Sequence, residues 1–181
     1  MFAIEQVANW CRFYKEVFGI KIDPASVSLP SERAGFGWIV LVAQGLTRNQ
    51  VFEKCAERFS SWRYYNDLNC AVTINDREST ATYAIRVRDR VEADEENQIS
   101  AETAWSKGVK GMTNLERMLL ELWYHWETND HLDKETLTIC SGSRYSDGCV
   151  PDAHCSGEEF SVSDVRSADG GGDWRVREVE V

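Results

Sequence analysis

The sequence predicts an α+β fold: a single compact domain over residues 1–181, with a mixed or mainly antiparallel sheet of about 5–6 strands packed against 3–4 helices. Three observations carry this. Apolar residues recur at three- and four-residue spacing over 2–18 and again over 115–126, the period of amphipathic helices. Runs at 38–43, 70–74, 80–90 and 136–140 are short and apolar, or alternate strictly, as strands do. A chain of 181 residues with 43% hydrophobic content builds one core and needs no second domain.

The N-terminal helix, 2–18, carries its stripe on Ile4, Val7, Cys11, Tyr14 and Phe18, widened by Trp10 and Phe13, and Gly19 ends it. Pro24, Pro30 and Gly35 make 20–36 a loop. Trp38–Ala43 reads as a central strand. Thr47 and Gln50 form a capping box for a helix that buries Val51, Phe52, Cys55 and Phe59. Cys70–Ile74 is the next expected strand. From Thr80 to Arg90 the chain alternates, with Arg86, Arg88 and Arg90 on one face. The acidic run Glu92–Glu96 reads as a solvated loop or first helical turn. Ser100 caps a short helix to about Ser106, and Gly108 and Gly111 break it.

Thr113 and Glu116 form a second capping box before a core helix striped with Leu115, Leu119, Leu122 and Trp126. Arg117, Glu121 and His125 fall on its opposite face, where an ordinary exposed hydrogen bond between Glu121 and His125 is expected. Asn129-Asp130 ends the helix, Thr136–Cys140 is a strand, and Ser141–Gly148 is a polar glycine loop. The region 155–181 reads as a hairpin whose last strand is Trp174–Val181.

A net charge of −10 argues against a phosphate-backbone binder, so neither nucleic acid nor an anionic membrane is an expected partner. The longest apolar run, Trp38–Ala43, is far shorter than a membrane span. The first residues show no basic leader before an apolar segment, and the six cysteines read as reduced, so a cytoplasmic location is expected. Strand–glycine–helix around Gly45 lacks both nucleotide-binding glycine signatures, and no cofactor is expected.

The candidate chemistry concentrates in 131–155. Catalytic candidates are His131, Asp133, Cys140 and Asp147. Ser141, Ser143 and Arg144 are candidates for an anion-binding nest, although a hydrogen-bonded turn held by Arg144 and Asp147 explains them without function and is preferred. Arg86, Arg88 and Arg90 suit an anionic ligand; pairing with the acidic residues is the preferred account. Cys140, Cys149, His154 and Cys155 have the residue types of a zinc site at irregular spacing. His131, Asp133 and His154 have those of a two-histidine, one-carboxylate iron site. Both metal sets are disfavoured.

The stretches GFGWIVLVAQGLTRNQVFEKC, WRYYNDLNCAVTINDR, YAIRVRDRVEADEE, TNLERMLLELWYHWETNDHLD and TICSGSRYSDGCVP resemble a family of small uncharacterised bacterial proteins from candidate-phyla genomes. The resemblance runs to about Pro151 and implies a bacterial source and one domain, with no activity attached. Its members continue after Val-Pro with an aromatic-containing strand, and Asp152-Ala-His-Cys155 departs from that, which weakens the zinc set. The expected function is binding of a protein partner or a small anionic ligand; the alternative is an enzyme with a polar or metal-assisted site around 131–155.

Overall fold

The computed structural model describes residues 3–94 and 97–181. Phe2 of the expected first helix, and Glu95 and Glu96 of the acidic run, lie outside the described residues. In chain order the helices are α1 (Ala3–Val17), α2 (Arg48–Ala56), α3 (Leu68–Ala71), α4 (Ala101–Ser106) and α5 (Asn114–Thr128). The strands are β1 (Trp38–Val42), β2 (Ser61–Arg63), β3 (Val72–Asn75), β4 (Tyr83–Val87), β5 (Leu137–Ile139), β6 (Ser143–Tyr145), β7 (Val150–Ser156), β8 (Glu159–Val165), β9 (Trp174–Val176) and β10 (Val179–Glu180).

They form an antiparallel sheet in the order β1-β4-β10, a mixed sheet in the order β2-β8-β7-β5-β9, and a β3-β6 pair. In the mixed sheet β2–β8 and β5–β9 run parallel, and the inner pairs run antiparallel. This is the α+β single domain that the periodicities predict. One face of the mixed sheet sends Ala153, Phe160 and Val162 into the main core; the other packs Ile139, Val150, Val165 and Val176 against α4.

α1 does more than bury an aromatic stripe. β1 is an edge strand, whose outward N–H and C=O groups need partners. Three α1 side chains at four-residue spacing supply them. The Gln6 amide donates to Gly37 O at 2.7 Å and accepts from Ile39 N at 2.8 Å. Trp10 Nε1 donates to Ile39 O at 2.7 Å. The Tyr14 hydroxyl donates to Leu41 O at 2.7 Å and accepts from Ala43 N at 3.0 Å. The helix thus serves as a substitute strand for that edge.

Both capping boxes form, at Thr47/Gln50 and Thr113/Glu116, and Ser100 caps α4. Asn129 closes α5 with φ 57°. α5 is buried on every side from Asn114 to Trp123, packed against β1 and β7. Arg117 and Glu121 are therefore interior, correcting the expectation of a solvated face.

Two strand expectations also change. Of the expected strand Cys70–Ile74, Cys70 and Ala71 instead end α3, because Asp67 Oδ1 accepts from Asn69 N and Cys70 N and so caps a helical turn, and the strand starts at Val72. The hairpin of the C-terminal region is β7–β8, with Ser156 opposite Glu159 and Gly157 in the left-handed region. Trp174–Val181 is not its second strand: it divides into β9, in the mixed sheet, and β10, in the antiparallel one.

Candidate functional site

The residues singled out in the sequence do not gather in one place. Asp133 lies at the centre of a buried ionic chain. Its Oδ2 accepts from Arg117 Nε at 3.0 Å and from the Thr138 hydroxyl at 2.5 Å, and its Oδ1 from Arg177 Nη2 at 2.6 Å. Arg117, Glu121 and Asp133 are all 0% exposed. Burial alone would lift the Asp133 carboxyl, but the two guanidiniums outweigh it and hold it below the ordinary carboxylate range. Arg117 Nη1 donates to Glu121 Oε2 at 2.8 Å, and the other Glu121 oxygen lies 2.8 Å from His131 Nδ1. His131, with 12% of its side chain exposed, is where the chain reaches the surface. Both Asp133 oxygens are engaged in the core by the two guanidiniums and a hydroxyl, and among the described residues the His131/Asp133/His154 set is not a group placed to hold a metal ion.

The zinc set fails on strand geometry. His154 and Cys155 are successive in β7 and point to opposite faces of the sheet. Cys155 is buried and its thiol is pushed up to about 11, chiefly by that burial; burial likewise raises Cys140, also interior, and Cys149. Protonated thiols are poor nucleophiles and poor ligands. Among the described residues no three His, Cys, Asp or Glu side chains are placed to hold a metal ion.

The Ser141–Gly148 loop contains β6 and is taken up by the fold. Ser143 Oγ accepts from Asn114 N at 2.9 Å and donates to Asn75 Oδ1 at 2.6 Å. Ser141 is buried and its carbonyl accepts from Trp105 Nε1 at 2.8 Å. Arg144 lies over the Trp105 ring at 4.1 Å, with Asp76 4.0 Å away, and Asp147 Oδ1 accepts from Cys149 N at 2.9 Å. Asp147 thus ties a turn, whereas Arg144 stacks instead of serving loop carbonyls. Converging backbone amides occur elsewhere: Lys134 N, Glu135 N and Thr136 N donate to the Glu92 carboxylate at 3.1, 3.1 and 2.9 Å. The anion they hold is the protein's own.

The arginine face is also engaged. Arg86 is buried; its Nε donates to Pro30 O at 3.0 Å, with Glu32 3.7 Å away. Arg88 meets Asp94 at 3.3 Å and Glu178 at 3.2 Å and lies over Phe36. Arg90 is exposed beyond the strand, and its carbonyl accepts from Arg177 Nη1 at 2.9 Å.

A cavity lies beside this strand. It has a volume of about 630 Å³, opens between the 28–31 segment and the 77–84 segment, and is lined by Ser28, Ser31, Arg77, Thr80, Thr82 and Tyr83 among others. Arg77 is locked in place there. Its Nε and Nη2 donate to the two oxygens of buried Glu116 at 2.6 and 2.8 Å, and Nη2 also donates to Gly111 O at 2.7 Å. Tyr83 adds a hydroxyl on Glu116 at 2.9 Å, and its own ionisation is driven up by burial and by that carboxylate. The Glu116 that closes the capping box of α5 is thus the same residue that fixes this guanidinium. Arg77 Nη1 has no acceptor among the described residues, and the side chain is 15% exposed. Arg77, Tyr83 and Glu116 were not among the sequence candidates, since nothing in the spacing of 77, 83 and 116 announces that they meet.

No protein-family model matches the chain, and neither a curated protein nor a solved structure does.

Proposed function

We propose that this protein binds a small acidic ligand, a carboxylate or phosphate ester, in the cleft above Arg77. The observation that supports the reading is the guanidinium itself: its Nε and Nη2 are fixed by a buried carboxylate, and the side chain, 15% exposed, lines a cavity of about 630 Å³. Fixing the arginine beforehand removes the entropy a ligand would otherwise spend ordering it, and the volume suits a small organic molecule. Ser28, Ser31 and Thr80 line the same space and bring hydroxyl-bearing side chains to it. Among the described residues no helix is long and apolar enough to cross a membrane. A cytoplasmic location belongs to this proposal, supported by six unpaired cysteines; the resemblance of the stretches quoted above supports a bacterial source.

The test is a thermal-shift and calorimetric screen of small carboxylic acids and phosphate esters against two variants. Ala81→Trp fills the cleft from an exposed position and leaves Arg77 and Glu116 themselves unaltered; Arg77→Lys keeps the charge and loses the fork. The expected result is an acid that stabilises the wild type and loses at least ~10-fold in affinity in both variants, a difference of about 1.4 kcal/mol. A hit that Ala81→Trp binds equally well, or a screen in which no acid binds, overturns the reading.

A further inference from the structure

The surface end of the buried ionic chain has the construction of an outer-shell-supported imidazole. Arg117 Nη1 donates to one Glu121 oxygen, and the other accepts a hydrogen bond from His131 Nδ1–H at 2.8 Å; in that tautomer the second ring nitrogen, Nε2, carries the lone pair. A carboxylate behind the non-ligating ring nitrogen is the usual support of a metal-bound histidine. His125 stands one helical turn beyond Glu121 on α5, and its ring centroid lies 4.9 Å from that of His131 at 41°. A metal–nitrogen bond of about 2.0–2.1 Å puts an ion roughly 3.2 Å from each ring centroid, and a ligand angle of about 90–110° then separates two centroids by roughly 4.5–5.2 Å. The observed spacing falls in that window. Phe59 packs on both rings, at 4.6 and 5.0 Å, and forms an apolar wall beside them.

We propose that His125 and His131 form a two-imidazole site for a borderline transition-metal dication such as Zn²⁺, Ni²⁺ or Cu²⁺, with Glu121 as its outer carboxylate. Two protein ligands leave the remaining positions to water or to an exogenous donor, so the site is open: among the described residues no third His, Cys, Asp or Glu joins it. All-nitrogen ligation excludes Mg²⁺ and Ca²⁺, which take oxygen donors, and ranks Cu²⁺ above Ni²⁺ and Zn²⁺. The site stands apart from the Arg77 cleft, and either can exist without the other.

Calorimetric titration of the untagged full chain with ZnCl₂, NiCl₂ and MgCl₂ at pH 7.5 tests it. The expected result is one Zn²⁺ or Ni²⁺ per chain and no heat with Mg²⁺. His125→Ala and His131→Ala each weaken binding at least ~10-fold, Glu121→Gln weakens it about 10–100-fold, and His154→Ala and Cys149→Ser leave it unchanged. Glu121 belongs to the buried cluster, so its variant is read beside a measurement on the wild type: sub-stoichiometric Ni²⁺ or Cu²⁺ broadens the His125 and His131 ring resonances and spares His154. Broadening centred on His154, binding that survives His125→Ala/His131→Ala, or no ion bound below about 1 mM overturns the proposal.

Discussion

The hydroxyl of Tyr14 and the carbonyl of Leu41 are joined by a 2.7 Å hydrogen bond between a helix and the edge of a sheet. The Tyr14 hydroxyl oxygen also accepts from Ala43 N, so one phenol closes two outward groups at the β1 edge, both out of reach of water.

Tyr14→Phe should therefore cost more than a surface hydroxyl would. Two buried backbone groups lose their partner at once, and we expect a loss of about 2–4 kcal/mol, since each such group costs roughly 1–3 kcal/mol. Equilibrium urea unfolding measures it. A loss below about 0.5 kcal/mol would show that water reaches the β1 edge and that α1 does not seal it.

Asp133→Asn is expected to destabilise the fold by roughly 3–5 kcal/mol at pH 7, because it strips Arg117 and Arg177 of their shared counter-charge in the interior. The pH dependence has a definite sign. The folded carboxyl sits below its unfolded value, so its contribution is complete above about pH 4 and is lost as pH falls through the folded value. Wild type should accordingly lose stability on acidification, and the gap to Asp133→Asn should narrow. A gap that stays constant from pH 7 to pH 3 would mean that this carboxylate does not ionise with the fold.

Asp152 predicts the reverse. It is buried in β7, its Oδ1 has no hydrogen-bond partner, and His154 Nδ1 stands 3.8 Å away, beyond hydrogen-bond reach. Burial raises its carboxyl above the ordinary value, with His154 only partly opposing. A raised acid favours the fold at low pH and loses that favour as pH rises from the unfolded toward the folded value. Asp152→Asn should then stabilise the protein at pH 7 by about 1 kcal/mol, a Tm rise of roughly 2–4 °C, with little change near pH 3. Destabilisation at pH 7 would reveal a charged partner for Asp152.

What the sequence discloses about this protein is local. The capping boxes at Thr47 and Thr113, the cap at Ser100 and the strand beginning at Trp38 each depend on residues within a few positions of one another. The interior placement of Arg117 and Glu121 depends on Asp133, His131 and, through Asp133, on Arg177, so helical spacing alone assigns them to water. The clasp of Arg77 by Glu116 joins a loop to a helix 39 positions away. Tyr14 and Trp10 read correctly as core, yet their polar atoms serve a strand that periodicity does not register. Sites assembled from distant segments leave no pattern at short range, so the residues around 131–155 stand out in the sequence and Arg77 does not.

The division of residues 174–181 between two sheets bears on how the chain reaches this state. β9 completes the mixed sheet beside β5, β10 completes the antiparallel sheet beside β4, and Arg177 between them enters the buried ionic chain. Val179 pairs with Val87, so this closure joins segments about half the chain apart and carries a large loop-closure entropy. Neither sheet has its full complement of strands, and Asp133 has only one of its two arginines, until these eight residues arrive. The native arrangement of both sheets and of the buried ionic chain therefore hangs on one short segment, and its loss would open all three together.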